Sequence, residues 1–112
     1  MAIISNLVID QGSSFSASID VTDTEGNILV LTGYSAAGQM RRTYSSSTAI
    51  DFTSTIANAT AGTVSITLTA AQTNAIKAGR YVYDVEITSS DGTVTRVVEG
   101  QVEVTPGVTR AS

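Results

Sequence analysis

Residues 79–105, GRYVYDVEITSSDGTVTRVVEGQVEVT, predict two β-strands joined by a tight turn. In 79–88 polar and apolar side chains alternate, so that one face carries Tyr81, Tyr83, Val85 and Ile87. A two-residue period places one face of a strand on a core and the other in water. The run 89–92, Ser-Ser-Asp-Gly, predicts a hairpin, because Asp-Gly suits turns that match the twist of the strands.

The return strand, 93–105, keeps its alternation except at Val97 and Val98, which are adjacent apolar residues. One extra residue in the strand would restore the pattern, so we expect a β-bulge there. Pro106 ends the strand. The sequence therefore predicts a β-sandwich domain over residues 1–106 and a short C-terminal tail over 107–112.

Further β-type segments precede this hairpin at intervals of about ten residues, which is typical of a sandwich or barrel. They are 2–9, 14–22, 35–43, 49–56 and 63–68. In 14–22 one face carries Phe15, Ala17, Ile19 and Val21. A turn over 23–27 is expected, with Gly26 and Asn27 able to adopt positive φ, and a polar loop over 44–48.

One short helix of about two turns is predicted over 69–77. Thr69 and Gln72 have the spacing of a capping box, in which two otherwise unpaired N–H groups are satisfied. Gly79 is expected to end the helix in a left-handed conformation. We expect this helix to cross one end of the sandwich.

These elements predict an all-β fold, an immunoglobulin-like antiparallel β-sandwich of about seven strands with one short helix. The run Ala-Gly-Arg-Tyr at 78–81 opens a strand after a helical turn. That pattern predicts a tyrosine corner, in which the Tyr81 hydroxyl bonds to the backbone behind it. The chain has no cysteine pair and no tryptophan, which antibody domains carry.

Composition narrows the function. The 112 residues are 42% hydrophobic and 14% charged, a balance that favours a folded domain. Six Lys and Arg are scattered in a chain of net charge −4, so nucleic acid and anionic membranes are not expected partners. There is no cysteine, which favours a reducing compartment. We expect neither a membrane span nor a signal peptide.

Catalysis is not expected, because the chain has no His and no Cys, and a Ser or Thr nucleophile would need Lys77 as its base. Asp84 and Glu86 could form an acid–base pair, but the favoured interpretation is the wet face of an edge strand. Asp20, Asp23 and Glu25 could hold calcium, although an ordinary turn is favoured over a metal site. We predict no catalytic, cofactor or metal residues and no small-molecule substrate.

Several residues could serve contacts instead. Tyr34 and Tyr44 bracket Arg41 and Arg42, and Tyr and Arg are favoured at interface hot spots. Tyr34 could equally cap the core, and Tyr44 could be a simple loop aromatic. The tail either frays or binds a partner. The predicted interface set is Tyr34, Arg41, Arg42, Tyr44, Val108, Thr109 and Arg110.

Two segments resemble a known family. Residues 20–43, DVTDTEGNILVLTGYSAAGQMRRT, and 79–110, GRYVYDVEITSSDGTVTRVVEGQVEVTPGVTR, resemble the immunoglobulin-like N-terminal domain of tailed-phage baseplate upper proteins and similar small virion proteins of cyanobacterial phages. The resemblance implies a multi-copy adaptor of the virion, assembled in the host cytoplasm, whose partners are other virion proteins and copies of itself. Those proteins continue into a helical or receptor-binding region and this chain stops at Ser112, so a docking role is expected.

Three functions remain open at this point. The leading hypothesis is a structural protein of the phage tail, baseplate or fibres. The second is a capsid decoration protein, since small acidic β domains fit that role as well. The third is a binding module of a bacterial surface or pilus assembly.

Overall fold

The computed structural model describes residues 3–23 and 25–108, which form eight strands and one helix. The prediction of an all-β sandwich with one short helix is confirmed. The count exceeds seven because the first predicted strand is broken in two. The elements are β1 (Ile3–Ile4), β2 (Leu7–Asp10), β3 (Phe15–Asp20), β4 (Ser35–Arg41), β5 (Ile50–Asn58), β6 (Thr63–Leu68), α1 (Ala70–Asn74), β7 (Gly79–Thr88) and β8 (Val94–Thr105).

The strands form two sheets that share β5. The long sheet contains β1 and β2 on β8, then β7, β4 and residues 50–52 of β5. The short sheet contains β3, β6 and residues 53–58 of β5. Because β5 pairs first with β4 and then with β6, the pairing path is continuous and curls over the core.

The β7–β8 hairpin forms as predicted. Tyr81, Tyr83, Val85 and Ile87 are all buried. Val85 pairs with Val98 and Glu86 with Arg96, so Val97 is the extra residue of a bulge. The turn has positive φ only at Gly92. The bulge lets Val97 and Val98 both face the core.

The predicted first strand is interrupted between β1 and β2, where Ser5 and Asn6 accept hydrogen bonds from residues of β7 and β8. The Tyr83 hydroxyl donates to the Ser5 carbonyl oxygen at 2.5 Å, and the Gln101 N–H donates to Asn6 Oδ1 at 3.0 Å. A Cβ on Gly100 would collide with the Ser5 carbonyl. Both β1 and β2 run parallel to β8. The prediction of a purely antiparallel sandwich was therefore wrong for these two strands.

The helix α1 begins with the predicted capping box, since Thr69 and Gln72 each accept the other's backbone N–H. It is shorter than expected and ends at Ala75 in ordinary right-handed geometry. The prediction that Gly79 caps the helix was therefore wrong. Gly79 starts β7 at φ 143°, and a Cβ there would collide with the Arg42 guanidinium.

The tyrosine corner is confirmed. The Tyr81 hydroxyl donates to the carbonyl oxygen of Lys77, in the segment between α1 and β7, at 2.6 Å. This bond ties the entry of β7 to the preceding loop. Lys77 lies after the helix and not on it, unlike in the predicted helix over 69–77.

The core lies between the two sheets and has an aromatic centre, where the Phe52 ring meets Phe15 at 6.1 Å and Tyr83 edge-on at 6.2 Å. Fully buried aliphatic side chains surround it: Ile9, Leu31, Val64, Ile66, Val85, Val102 and Val104. In the part of the chain that the structure describes, no helix has the length and apolarity to cross a bilayer.

Candidate interaction surfaces

The outward face of the short sheet, which we call the hydroxyl face, is made of serine and threonine. Register places Ser16, Thr67 and Thr53 in one row across β3, β6 and β5, and Ser18, Ser65 and Thr55 in the next. These side chains are exposed or half-buried. The charged group on β3 is Asp20, whose carboxylate accepts a hydrogen bond from the Thr63 hydroxyl at 3.1 Å. The result is a flat surface of small, nearly uncharged side chains.

The outward face of the long sheet, which we call the charged face, carries several charged side chains that pair with one another. Arg96 Nε lies 3.2 Å from Asp84 and its Nη1 3.7 Å from Glu99. Gln39 Nε2 donates to the Asp51 carboxylate at 2.6 Å. A shallow groove of about 330 Å³ runs over these side chains. Arg96, Asp84, Glu99 and Asp51 on this face therefore already have partners within the chain.

The expectation that Asp84 and Glu86 lie on an edge strand was wrong. Both are half-exposed on the outward side of β7, so the wet-face part of the interpretation holds. However, β7 is paired on both sides, with β4 and with β8. Asp84 is engaged by Arg96, and Glu86 stands opposite Arg96 in the register.

The Asp23 carboxylate of the β3–β4 connection serves the chain's own turn. Asp23 Oδ1 accepts the N–H of Glu25 at 2.9 Å and that of Asn27 at 3.0 Å. The turn predicted around Gly26 is thus present, with positive φ at Gly26 and not at Asn27. Across residues 3–23 and 25–108, no three acidic side chains are grouped so that they could hold a metal ion.

Asp91 has a similar role in the β7–β8 turn. Its carboxylate accepts hydrogen bonds from the Ser89 hydroxyl and, at 3.0 Å, from the Thr93 N–H. The Ser89 hydroxyl, followed by Thr93, lowers the pKa of Asp91 below its usual value. A negative charge is therefore favoured at this exposed turn.

The predicted interface residues do not form one patch. Tyr34 precedes β4 and packs half-buried against the core, which is the alternative considered for it. Arg41, Arg42 and Tyr44 lie at the other end of the strand, more than about 20 Å away at the rise of an extended chain. The two tyrosines therefore bracket the arginines in sequence but not in space.

At that far end the arginines also contact the chain itself. Arg41 Nη1 donates to the Ser46 carbonyl oxygen at 2.7 Å, and the Arg42 guanidinium lies 5.0 Å from the centre of the Tyr81 ring. Tyr44 is 82% exposed and is the residue of this group most open to a partner. Its role in contacts stays a prediction.

The C-terminal tail leaves from the same end of the molecule, since Gly79 pairs with Val104 and Arg41 with Val82. The Gly107 N–H donates to the Gln11 side chain at 3.1 Å, and Val108 is 97% exposed. Thr109 and Arg110 lie outside the described residues. The tail's part in binding likewise stays a prediction.

Sequence reasoning did not show where the Ser- and Thr-rich strand faces meet. Which strands become neighbours depends on β5 crossing between the sheets, and no local motif signals that. It also missed the ion pairs of Arg96, because Asp84 and Arg96 are joined only once the bulge at Val97 has set the register.

Comparison with known proteins identifies relatives at the level of the domain. A family model described as "LtfC-like, beta-sandwich domain" matches residues 2–105. A comparison with curated protein sequences found no match.

Among solved structures, an internalin-like protein of Listeria monocytogenes is similar over 93% of this chain and 28% of its own, at 18% identity and a TM-score of 0.49. A family 123 glycoside hydrolase from Clostridium perfringens is similar over 94% of this chain and 23% of its own, at 14% identity and a TM-score of 0.43. This chain thus spans only about a quarter of the length of either protein.

Proposed function

We propose that this chain, which belongs to the LtfC-like β-sandwich domain family, is a binding or structural module. Its specific role in this proposal is that of a non-enzymatic structural subunit of a phage particle. In this role it is an adaptor of the tail, baseplate or fibres and is present in many copies. Its partners are other virion proteins and copies of itself. Neither nucleic acid, membrane nor a small-molecule substrate is part of the proposal.

The observation that carries the proposal is where the two resembling segments lie. Residues 20–43 supply the turn around Gly26 and strand β4, and residues 79–110 supply β7 and β8. In the fold these strands are consecutive neighbours, because β4 pairs with β7 and β7 with β8. The resemblance therefore covers the continuous centre of one sheet and its turns, and not isolated motifs.

The chemistry of the surface supports a contact role. The carboxylates Asp23, Asp84 and Asp91 are engaged in turns or ion pairs within the chain. The hydroxyl face offers short side chains that lose little entropy when covered. A module of this kind gains binding free energy from shape and hydrogen bonding more than from charge.

A capsid decoration protein is the second candidate, and the hydroxyl face is the observation that favours it. A flat and nearly uncharged face can lie against a capsid lattice while the charged face remains in water. A bacterial surface or pilus module is the third candidate. The experiment described next distinguishes it from the other two.

The test is to locate the protein in purified particles. Antibodies against the recombinant domain, coupled to gold, should label tails or baseplates, and a cryo-EM reconstruction should show the sandwich there in several symmetric copies. Labelling confined to heads would replace the adaptor role with decoration. Particles without any label would overturn the virion proposal and leave the surface module.

A further inference from the structure

Strand β3 has one open side. It pairs with β6 through six consecutive residue pairs and, within the described residues, with no strand on its other side. The Val21 N–H continues this ladder by donating to Gly62 at 2.8 Å. Hydrogen-bonded residues alternate along an antiparallel ladder, so the backbone groups of Ser16 and Ser18 point away from β6, towards the open side.

This edge lacks the features that usually prevent strand pairing. Natural proteins protect edges with proline, lysine, bulges or interruptions. The β1–β2 edge is interrupted at Ser5 and Asn6, and β5 has a register shift between Ile56 and Asn58. Strand β3 has a regular register, no proline and no lysine, and its one charge is at its last residue.

The inward side of the same edge is incompletely covered. Phe15, Ala17 and Ile19 point into the sandwich but are only half-buried, because no strand lies beyond them. A slit of about 200 Å³ opens beside Ala17 and Ile19, between β3 and β1. The edge thus presents open backbone groups together with partly exposed apolar side chains, which are the two needs of strand addition.

We infer that the strand added here is β3 of a second copy, paired antiparallel about a two-fold axis at Ala17. In that register Ser16 faces Ser18 on the outward side and Phe15 faces Ile19 on the inward side, so each face keeps its character. Asp20 falls opposite Ser14, so no like charges oppose each other. The same patch serves both copies, as a two-fold interface requires.

Charge also favours a second copy over a charged partner. Nine of the ten carboxylates lie in the long sheet, in its continuation into β5 or in turns, and only Asp20 is on β3. Two such edges meet without repulsion, whereas a basic or acidic strand would find no complementary row. This inference concerns the isolated chain and does not depend on a place in a phage particle.

The experiment is sedimentation velocity and light scattering of the full chain from micromolar to millimolar concentration. We expect a concentration-dependent species of twice the 11.6 kDa monomer mass. The double variant Ser16→Lys, Ser18→Lys should weaken the dimer at least tenfold, since each lysine then faces a lysine of the other copy. The matched control, Thr53→Lys, Thr55→Lys, adds the same charge to the same face on β5 and should leave the dimer intact.

Amide hydrogen exchange identifies the edge directly. The Ser16 and Ser18 amides of the unmodified chain should be unprotected in dilute solution and protected at high concentration. A chain that stays monomeric throughout would overturn the inference. So would a dimer that survives lysines on β3, or one that both double variants weaken equally.

Discussion

The two sheets of this sandwich manage their polar groups in opposite ways. On the long sheet, Arg96 forms ion pairs with Asp84 and Glu99, and the hydroxyls of Tyr81 and Tyr83 bond to backbone within the chain. On the short sheet, rows of Ser and Thr face outwards, and β3 has an open edge. The difference indicates that the long sheet holds the fold together while the short sheet is available to neighbours.

The largest effect should come from the inward side of the long sheet. Tyr81→Ala removes a buried aromatic ring and the tyrosine corner, so it should lower the free energy of unfolding by about 3–5 kcal/mol. Tyr44→Ala should change it by less than about 0.5 kcal/mol, because that side chain is exposed. Urea denaturation midpoints of the two variants check this. Equal losses would contradict the burial of Tyr81 or the exposure of Tyr44.

Tyr83→Phe tests the bond that ties the interrupted first strand to the long sheet. Losing the hydrogen bond to Ser5 should cost about 1 kcal/mol at neutral pH. Burial raises the pKa of Tyr83. The contribution of the Tyr83 hydroxyl to the free energy of unfolding is therefore complete below the pKa of the unfolded state, near 10. It is lost as the pH rises through the raised pKa of the folded state.

The difference in the free energy of unfolding between the unmodified chain and Tyr83→Phe should accordingly become smaller above about pH 10. Thermal melts of both proteins at neutral and alkaline pH measure it. Tyr44→Phe is the control, since its hydroxyl is at an exposed site. A gap that stays constant with pH would mean that Tyr83 is not shielded by the sheet.

A smaller effect is expected on the charged face. Arg96→Gln should lower the free energy of unfolding by at most about 1 kcal/mol at low salt, because its pairs are half-exposed. The loss should shrink in 1 M salt, where exposed charges are screened. A double-mutant cycle with Asp84→Asn isolates the pair. A coupling energy unaffected by salt would show that Arg96 stabilises through packing instead.

The smallest effect is expected on the hydroxyl face. Thr55→Val keeps the branched shape that suits a strand and removes one outward hydroxyl, so the free energy of unfolding should change by less than about 0.5 kcal/mol. Thermal melts of this variant and of the unmodified chain measure it. A loss above about 1 kcal/mol would show that these hydroxyls stabilise the sheet itself, and the contrast between the two sheets would disappear.

The parts of the fold that the sequence predicts are those with local causes. Alternation and an Asp-Gly turn predict the β7–β8 hairpin, two adjacent valines predict its bulge, and Thr69 with Gln72 predicts the helix start. Gly79 was misassigned because its positive φ of 143° serves the start of β7 and not the end of the helix. The parallel pairing of the first strand with β8 was missed because the two strands are distant along the chain.

The candidate surfaces were predictable in composition but not in arrangement. Tyr34 and Tyr44 are close in sequence, yet a strand separates residues by about 3.3 Å each, so β4 carries them to opposite ends. The open edge of β3 was hidden because alternation in 14–22 predicts a strand and says nothing about how many neighbours it has.

The parallel pairing of β1 and β2 with β8 has a consequence in time. The Asp10 carboxylate accepts a hydrogen bond from Thr105, which is synthesised 95 residues later. At synthesis rates of about 5–20 residues per second, that interval lasts roughly 5–20 s. During it, Leu7 and Ile9 lack the strand that later covers them. The first strand of this domain is therefore also among the last to dock during synthesis.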